Sequence, residues 1–197
     1  MSETRSYPRR VKTDAGEIEF RMMARSDEAA VLAFAKALPT HDLLFLPRNI
    51  SEPKVLSAWI NEIERGAIVS LLALRGKTVV GSGTLVRDPH SWSPHVGEIR
   101  MVVSQDVRGQ GVGRALSQET FAIALGAGLE KLSVQMTVDQ QAAIALFESL
   151  GFKAEALLRD QVRDVDGKTH DIVVLGHNVA QVRAQMEAYG LPAAVQH

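Results

Sequence analysis

The most informative stretch of the sequence reads Val103-Ser-Gln-Asp-Val-Arg-Gly-Gln-Gly-Val-Gly-Arg-Ala-Leu116. An alternating, strand-like segment from Val96 to Ser104 leads into it, and a helical pattern from about Val112 to Ala127 follows it. A glycine-rich turn between a strand and a helix leaves backbone N–H groups unpaired at the positive end of the helix dipole. Because glycine has no Cβ, a diphosphate can lie directly against these amides. The stretch therefore predicts a phosphate-binding site.

Three kinds of phosphate-binding loop compete for this role, and the spacing of the glycines separates them. A Walker A loop needs a glycine five residues before its Gly-Lys-Ser/Thr, but the Gly-Lys-Thr at residues 167–169 has Val162 in that place. A dinucleotide fingerprint that begins at Gly109 or Gly111 needs a third glycine three residues after its second, where the sequence has other residues. Neither of these two loops fits.

The pattern that fits is Val-x-x-x-x-Arg/Gln-x-x-Gly-x-Gly/Ala. Four residues fill it: Val103, Arg108, Gly111 and Gly113. This pattern resembles the coenzyme A pyrophosphate loop of the GNAT superfamily of acyl-CoA-dependent N-acetyltransferases. A second segment, residues 139–152, is similar to that family's helix after the fifth strand, usually Asn-x-x-Ala-x-x-Leu-Tyr-x-x-x-Gly-Phe. With the order of elements included, the resemblance covers roughly residues 18–177.

The resemblance implies an α/β fold, with a central twisted sheet that is mixed, mostly antiparallel and flanked by helices. The sequence itself indicates a strand, two helices, three strands, a helix, a strand, a helix and two strands, which is the order of one mixed α/β domain. We predict the GNAT domain over residues 18–178 and a polar N-terminal extension over residues 1–17, either a mobile tail or a pairing strand. A C-terminal extension over residues 179–197 is predicted to be partly helical.

Composition restricts the classes of function. The 197 residues include 22 Lys and Arg against 23 Asp and Glu, so the chain lacks the basic excess typical of nucleic-acid binding. Cysteine is absent, which excludes a Cys nucleophile, an acyl-cysteine intermediate and thiolate metal sites. No spaced His, Asp and Glu cluster predicts a metal, and no apolar run is long enough to span a membrane. We expect a cytoplasmic protein without metal, nucleic-acid or membrane partners.

The resemblance implies acetyl-CoA as cosubstrate and direct transfer of its acyl group to an amine of a small molecule or protein. It assigns contact with the cosubstrate to Met101, Val102, Val103, Arg108, Gly109, Gln110, Gly111, Val112, Gly113, Arg114, Gln140 and Phe147. Many members of the family pair as dimers through terminal strands, so a homodimer is a further expectation. The identity of the amine and the preferred acyl chain do not follow from the sequence.

Two residues depart from the family pattern. Gln140 stands where the family usually has Asn, so the amide contact to the pantetheine arm is expected to shift by one methylene. Phe147 stands where the family often has a Tyr that protonates the departing thiolate, which Phe cannot do. Phe147 also lies on one apolar helical face with Ala143 and Leu150, which favours a packing role. Water, Ser104 or Tyr189 remain as sources of that proton.

The family also suggests groups for the chemical step. Glu98 is the candidate general base, directly or through water, and the alternative is a solvated carboxylate or one paired with Arg100. A splay or bulge in this strand would free a backbone N–H at Met101 or Val102 for the oxyanion. Four further side chains fall on segments that border the acceptor cleft in the family: His41, Asp42, Trp92 and His95. The competing hypothesis is a non-catalytic acyl-CoA binding or sensing module.

Overall fold

The computed structural model describes residues 5–180, in which one sheet has helices on both faces. The strands are β1 (Arg9–Thr13), β2 (Gly16–Met22), β3 (Ile68–Arg75), β4 (Thr78–Val86), β5 (Val96–Val103), β6 (Lys131–Thr137), β7 (Lys153–Arg163) and β8 (Thr169–Asn178). The helices are α1 (Glu28–Ala37), α2 (Pro53–Glu64), α3 (Val112–Gly126) and α4 (Gln141–Ser149). Short 3-10 turns occupy Arg25–Asp27, Thr40–Leu43 and Gln105–Val107.

The strands lie in the order β1-β2-β3-β4-β5-β6-β8-β7. Every neighbouring pair is antiparallel except β5 and β6, which are parallel and joined by the crossover through α3. The predicted mixed, mostly antiparallel sheet flanked by helices is therefore confirmed. Its one parallel pair lies near the middle of the sheet, directly before the glycine-rich loop.

Strand alternation divides the core between the two faces of the sheet. Leu72 and Val102 pack with α1 and α2 on one face, while Leu71 and Ala73 pack against α3 on the other. Strand β4 is buried along almost its whole length because helices cover both of its sides. A Cβ at Gly83 would overlap the Thr120 hydroxyl, so the bare glycine lets α3 approach β4 closely.

The segment before Ile18 includes a strand, which is one of the two alternatives that the sequence left open. Residues of β1 pair with β2 from Arg9↔Phe20 to Thr13↔Gly16. The residues just before β1 lie against α3, where Arg5 forms an ion pair with the buried carboxylate of Glu119 at 2.7 Å. The predicted C-terminal helix falls mostly on residues 181–197, which lie outside the described part of the chain, as does Tyr189.

Candidate active site

The parallel strands β5 and β6 pair over only four positions, from Val96↔Lys131 to Ile99↔Val134. Beyond Ile99, β5 stays paired with β4 as far as Val103, while β6 stays paired with β8 as far as Thr137. The two strands therefore diverge towards their carboxyl ends and leave a gap in the sheet. Within residues 5–180 no other strand fills this gap.

The backbone of β5 directs hydrogen-bonding groups into the gap. The N–H of Ser104 donates to the carbonyl of Val80 at 2.9 Å, so the even-numbered residues of β5 turn their N–H and C=O groups towards β4. Because these groups alternate along an antiparallel ladder, the odd-numbered residues face β6, and Met101 and Val103 face the gap. The register between β4 and β5 shows no bulge, so a splay of the strands exposes the backbone here. Of the two predicted oxyanion donors, Met101 points into the gap and Val102 points towards β4.

The glycine-rich loop lies at the end of this gap. Gly109 and Gly111 have φ angles of +71° and +83°, in the left-handed region that favours glycine, and Gly111 is the N-cap of α3. The first hydrogen bond of the helix runs from the Ala115 N–H to the Gly111 carbonyl at 3.0 Å. The N–H groups of residues 112–114 thus emerge from the helix end, where no described side chain caps them. Such a helix end attracts an anion such as a phosphate.

The side chains of the loop mostly hold the loop in shape. Arg108 donates from Nη2 to the carbonyl of Val103 at 3.1 Å and to Oδ2 of Asp42 at 2.6 Å. The amide nitrogen of Gln110 donates to the carbonyl of Asp106 at 2.8 Å. The N–H groups at the start of α3, which no described side chain caps, are therefore the part of the loop that is available to a ligand.

The remaining predicted cosubstrate residues lie around α4. Arg114 is exposed and donates to the hydroxyl of Ser149 at 3.1 Å, which links the start of α3 to the end of α4. Gln140 is the half-buried N-cap of α4. Phe147 is only 4% exposed, and its ring packs edge-on against Phe152 with the centroids 5.2 Å apart. The helical periodicity that favoured a packing role for Phe147 thus agrees with its position in the core.

A pocket of about 450 Å³ lies on the face of the sheet that is opposite to α3. It is formed by α2, the loop before α2, and strands β4 and β5. Its lining consists of Leu46, Pro47, Arg48, Ile50, Val55, Ala58, Trp59, Glu62, Ile68, Ser82, Thr84, Arg100, Met101 and Val102. The volume is within the range of small-molecule sites, about 300–1,000 Å³. The pocket reaches β5 at residues 100–102, where the Met101 backbone faces the gap. A ligand in the pocket and a ligand in the gap would therefore meet at this strand.

Glu98, the predicted base, forms an ion pair with Arg100 on the same face of β5. Nε and Nη2 of Arg100 donate to the two carboxylate oxygens of Glu98 at 2.8 and 2.9 Å. Each side chain is 22% exposed, and Arg100 lines the pocket whereas Glu98 lies just beyond the lining. The pairing with Arg100 that the sequence left open is present. A carboxylate has about four lone-pair sites, so two remain for water.

The Thr40–Leu43 turn spans the gap between β5 and β6. Asp42 binds Arg108 on the β5 side, and Nε2 of His41 lies 2.7 Å from Oδ2 of Asp139 on the β6 side. Partial burial would raise the pKa of Asp139, but hydrogen bonds from Thr137, from its own backbone N–H and from His41 lower it. Trp92 and His95 are exposed and lie outside the pocket lining.

Several pocket residues were not identified from the sequence, notably Arg48, Trp59 and Glu62 from α2 and its preceding loop. Ser82 and Thr84 were also missed, although buried hydroxyls in an otherwise apolar strand are an available signal. Within the described residues no group of three or more His, Asp or Glu side chains could hold a metal ion. None of the helices in that part of the chain is long and apolar enough to cross a membrane.

The fold and the site define a class of α/β proteins in which a strand, a glycine-rich loop and a helix end form an anion site beside a divided sheet. The profile of the acetyltransferase (GNAT) family matches residues 32–152, and the chain belongs to this family.

Individual relatives agree with this assignment. A mouse protein named as N-acetyltransferase family 8 member 5 is 34% identical over 84 residues, which cover 42% of this chain and 37% of the relative. The [ribosomal protein bS18]-alanine N-acetyltransferase of Escherichia coli K12 is 32% identical over 74 residues, 38% of this chain and 50% of the relative. The chain thus spans half or less of the length of these two relatives. Among solved structures, yncA from Salmonella typhimurium, solved with its cofactor acetyl-CoA, matches with a TM-score of 0.69 and 18% identity over 82% of this chain and 94% of that one.

Proposed function

We propose that the protein transfers an acetyl group from acetyl-CoA directly to a primary amine of a small molecule or a protein. One observation carries the proposal: the gap beside the anion loop and the pocket on the other face meet at residues 100–102 of β5. Membership of the acetyltransferase family supports the reaction class, and acetyl-CoA in the similar yncA structure supports the cosubstrate.

The loop and the gap suit different parts of acetyl-CoA. The uncapped N–H groups of residues 109–114 would hold the diphosphate, and the exposed guanidinium of Arg114 would add a positive charge beside it. The carbonyl of Met101 and the N–H of Val103 would pair with the amide groups of the pantetheine arm, because the Val103 carbonyl already accepts from Arg108. Gln140, the N-cap of α4, would contact that arm, whereas Phe147 would act by packing α4 against the sheet.

The chemical step needs a nucleophilic amine and a stabilised oxyanion. The amine nitrogen bonds to the thioester carbonyl carbon, the C–S bond breaks, and the CoA thiolate leaves. The Met101 N–H donates to the carbonyl oxygen as it becomes negative. The proton of the amine passes through water to Glu98, which Arg100 holds in place. A thiol has a pKa of about 8.5, so the thiolate can leave without a dedicated acid.

A non-catalytic acyl-CoA binding or sensing module is the second candidate. Phe147 supplies no hydroxyl, and the hydroxyl of Ser104 already donates to Asp106 at 2.5 Å. Tyr189 lies outside the described residues. A binding module needs the loop and the gap but neither a base nor an acceptor, so measured turnover separates the two candidates.

The deciding experiment follows thiol release from acetyl-CoA with a panel of amines, next to calorimetric binding of CoA. We expect CoA to bind and at least one amine to release thiol. A Glu98→Gln variant should lower kcat about 100- to 10,000-fold with CoA affinity unchanged. The control is Glu130→Gln, which removes an exposed carboxylate just before β6, at the end of that strand away from the gap, and should change neither kcat nor CoA affinity. Binding of CoA without thiol release from any amine would favour the sensing module, and failure to bind CoA would reject both candidates.

The remaining expectations belong to the same proposal. The domain limits 18–178, a cytoplasmic location and a homodimer stay predictions. Light scattering of the purified protein at two concentrations would test the dimer, and a mass of one chain at both would reject it.

A further inference from the structure

The pocket carries a charge imbalance. Three charged side chains line it: Arg48, Glu62 and Arg100. Arg100 is paired with Glu98, and Oε1 of Glu62 accepts from Nη1 of Arg65 at 2.9 Å. Arg48 is exposed, and none of the hydrogen bonds or ion pairs among residues 5–180 involves it. The pocket therefore has one positive charge that no neighbouring carboxylate compensates.

The wall formed by the sheet adds oriented donors. A guanidinium carries five N–H groups, and the described contacts of Arg100 use its Nε and Nη2 towards Glu98, which leaves Nη1 available. The hydroxyls of Thr84 and Ser82 line the same wall, lie 2.8 and 3.4 Å from the Ser70 hydroxyl, and can each donate or accept. The wall thus offers the Nη1 group of Arg100 as a donor, and the only carboxylate of the lining, Glu62, is already paired.

This arrangement disfavours an acceptor with a second positive charge, such as a polyamine. Its distal ammonium would meet the cations Arg48 and Arg100, and the one carboxylate in the lining, Glu62, is already paired with Arg65. An acceptor with a carboxylate would instead find the free guanidinium of Arg48, which matches a carboxylate with two parallel hydrogen bonds.

The rest of the lining is apolar. Trp59, Ile50 and Val55 come from α2 and the loop before it, and Met101 and Val102 come from β5. The pocket volume of about 450 Å³ suits a small molecule. We propose that the acceptor is an amino acid with an apolar side chain, whose carboxylate binds Arg48 and whose amino group reaches the carbonyl carbon beside Met101. This inference rests on the proposed transferase function, because it assigns the acceptor of the same site.

The transfer forms the amide bond to the α-amino nitrogen and breaks the C–S bond of the thioester. One proton of the amino group goes to Glu98 through water, and the CoA thiolate takes up a proton from solvent. Arg48 takes no part in these steps, so its contribution is expected in the KM of the amino acid and not in kcat.

Acceptors that share one carbon skeleton test the role of the carboxylate. Leucine, leucinamide and 3-methylbutylamine are compared by thiol release, with the dipeptide Leu-Gly as a fourth acceptor. We expect kcat/KM for leucine to exceed that of each of the other three by about tenfold or more. Equal rates for leucine and leucinamide, or a faster reaction of the dipeptide, would overturn the assignment of a free amino acid.

Charge variants test the role of Arg48. An Arg48→Gln change should raise the KM for leucine by about tenfold or more, leave kcat within about twofold, and leave leucinamide unaffected. Lys54→Gln is the matched control, because it removes an exposed positive charge from α2 outside the pocket lining. A similar effect of both variants, or an equal effect of Arg48→Gln on all acceptors, would contradict the inference.

Binding without turnover separates this inference from the transferase proposal. The chain has 2 tryptophans, and a Trp92→Phe change leaves Trp59 in the pocket as the sole reporter. We expect leucine, in the presence of CoA, to change the fluorescence of Trp59, and Arg48→Gln to abolish this change. If leucine binds in this way but no thiol is released, the transferase proposal fails and the pocket assignment stands. If amines are acetylated but leucine neither reacts nor binds, the pocket assignment fails and the transferase stands.

Discussion

Two glycines at opposite ends of α3 offer a controlled test of the anion loop. Gly109 lies in the loop with φ +71°, and Gly128 lies just after the helix with φ +74°. A Cβ at either position would have no atom within 4 Å. The changes Gly109→Ala and Gly128→Ala therefore impose the same backbone strain and no clash, but only Gly109 borders the proposed diphosphate site.

The expected losses of thermal stability and of CoA affinity follow from this geometry. A residue with a Cβ in the left-handed region costs about 1–2 kcal/mol, so each variant should unfold about 2–8 °C lower than the parent. A Cβ at Gly109 also keeps the diphosphate away from the loop amides. Loss of one such hydrogen bond to a charged group costs about 1.5–3 kcal/mol, which corresponds to CoA binding weakened about 10- to 150-fold. Gly128→Ala should leave CoA binding unchanged.

The assay combines differential scanning fluorimetry with calorimetric titration of CoA on the parent and the two variants. Similar losses of thermal stability in both variants would show that the backbone strain is matched. If the two variants then bind CoA with affinities within about twofold of each other, the loop amides do not hold the diphosphate and the reasoning is refuted.

Two further predictions concern stability. Glu119, whose side chain is 4% exposed, binds Arg5, Arg9 and the Tyr7 hydroxyl, so Glu119→Gln should lower the free energy of unfolding in a urea titration by about 1.5–3 kcal/mol. Glu17→Gln, which breaks an exposed ion pair with Arg10, should lower it by only about 0–1 kcal/mol. Equal losses in the two variants would contradict this expectation. Burial lowers the pKa of the His177 side chain below its usual value of about 6.5. The stability that His177 contributes is therefore complete above pH 6.5 and is lost as the pH falls towards its folded pKa. His177→Leu should flatten the fall in unfolding free energy between pH 7 and 5, and an unchanged slope would contradict the lowered pKa of His177.

The half of the site that lies on one continuous segment was predictable from sequence. Residues 103–114 run directly from β5 through the loop into α3, so local spacing alone predicts the strand end, the glycine-rich turn and the helix end. The left-handed backbone of Gly109 and Gly111 is seen only in the structure. The packing of Phe147 was predictable for the same reason, because the apolar face of α4 is a local period. The splay of β5 was expected from the family resemblance, and the strand register then identifies Met101 as the residue that faces the gap.

The pocket that we propose for the acceptor was not predictable, because it is assembled from distant segments. Arg48 and Trp59 come from the region of α2, whereas Thr84 and Arg100 become neighbours only through the register of β4 and β5. The state of Glu98 depended on a similar detail. Its spacing from Arg100 places both on one face, and only the side-chain geometry shows that both carboxylate oxygens are engaged. The contacts of Glu119 with Arg5 and Tyr7 join residues more than a hundred positions apart, beyond the reach of any local pattern.

The near-neutral charge of the chain does not conflict with a site for a polyanion. Arg108, the cation of the loop motif, is paired with Asp42 at 2.6 Å, so its charge is largely compensated within the protein. In the proposed site, attraction for a diphosphate would then come mainly from the N–H groups of residues 109–114 and the positive end of α3, with Arg114 as the exposed cation nearby. Such attraction depends on the shape of the loop more than on net charge. For this reason a single methyl group at Gly109 is expected to weaken CoA binding, although it changes no charge at all.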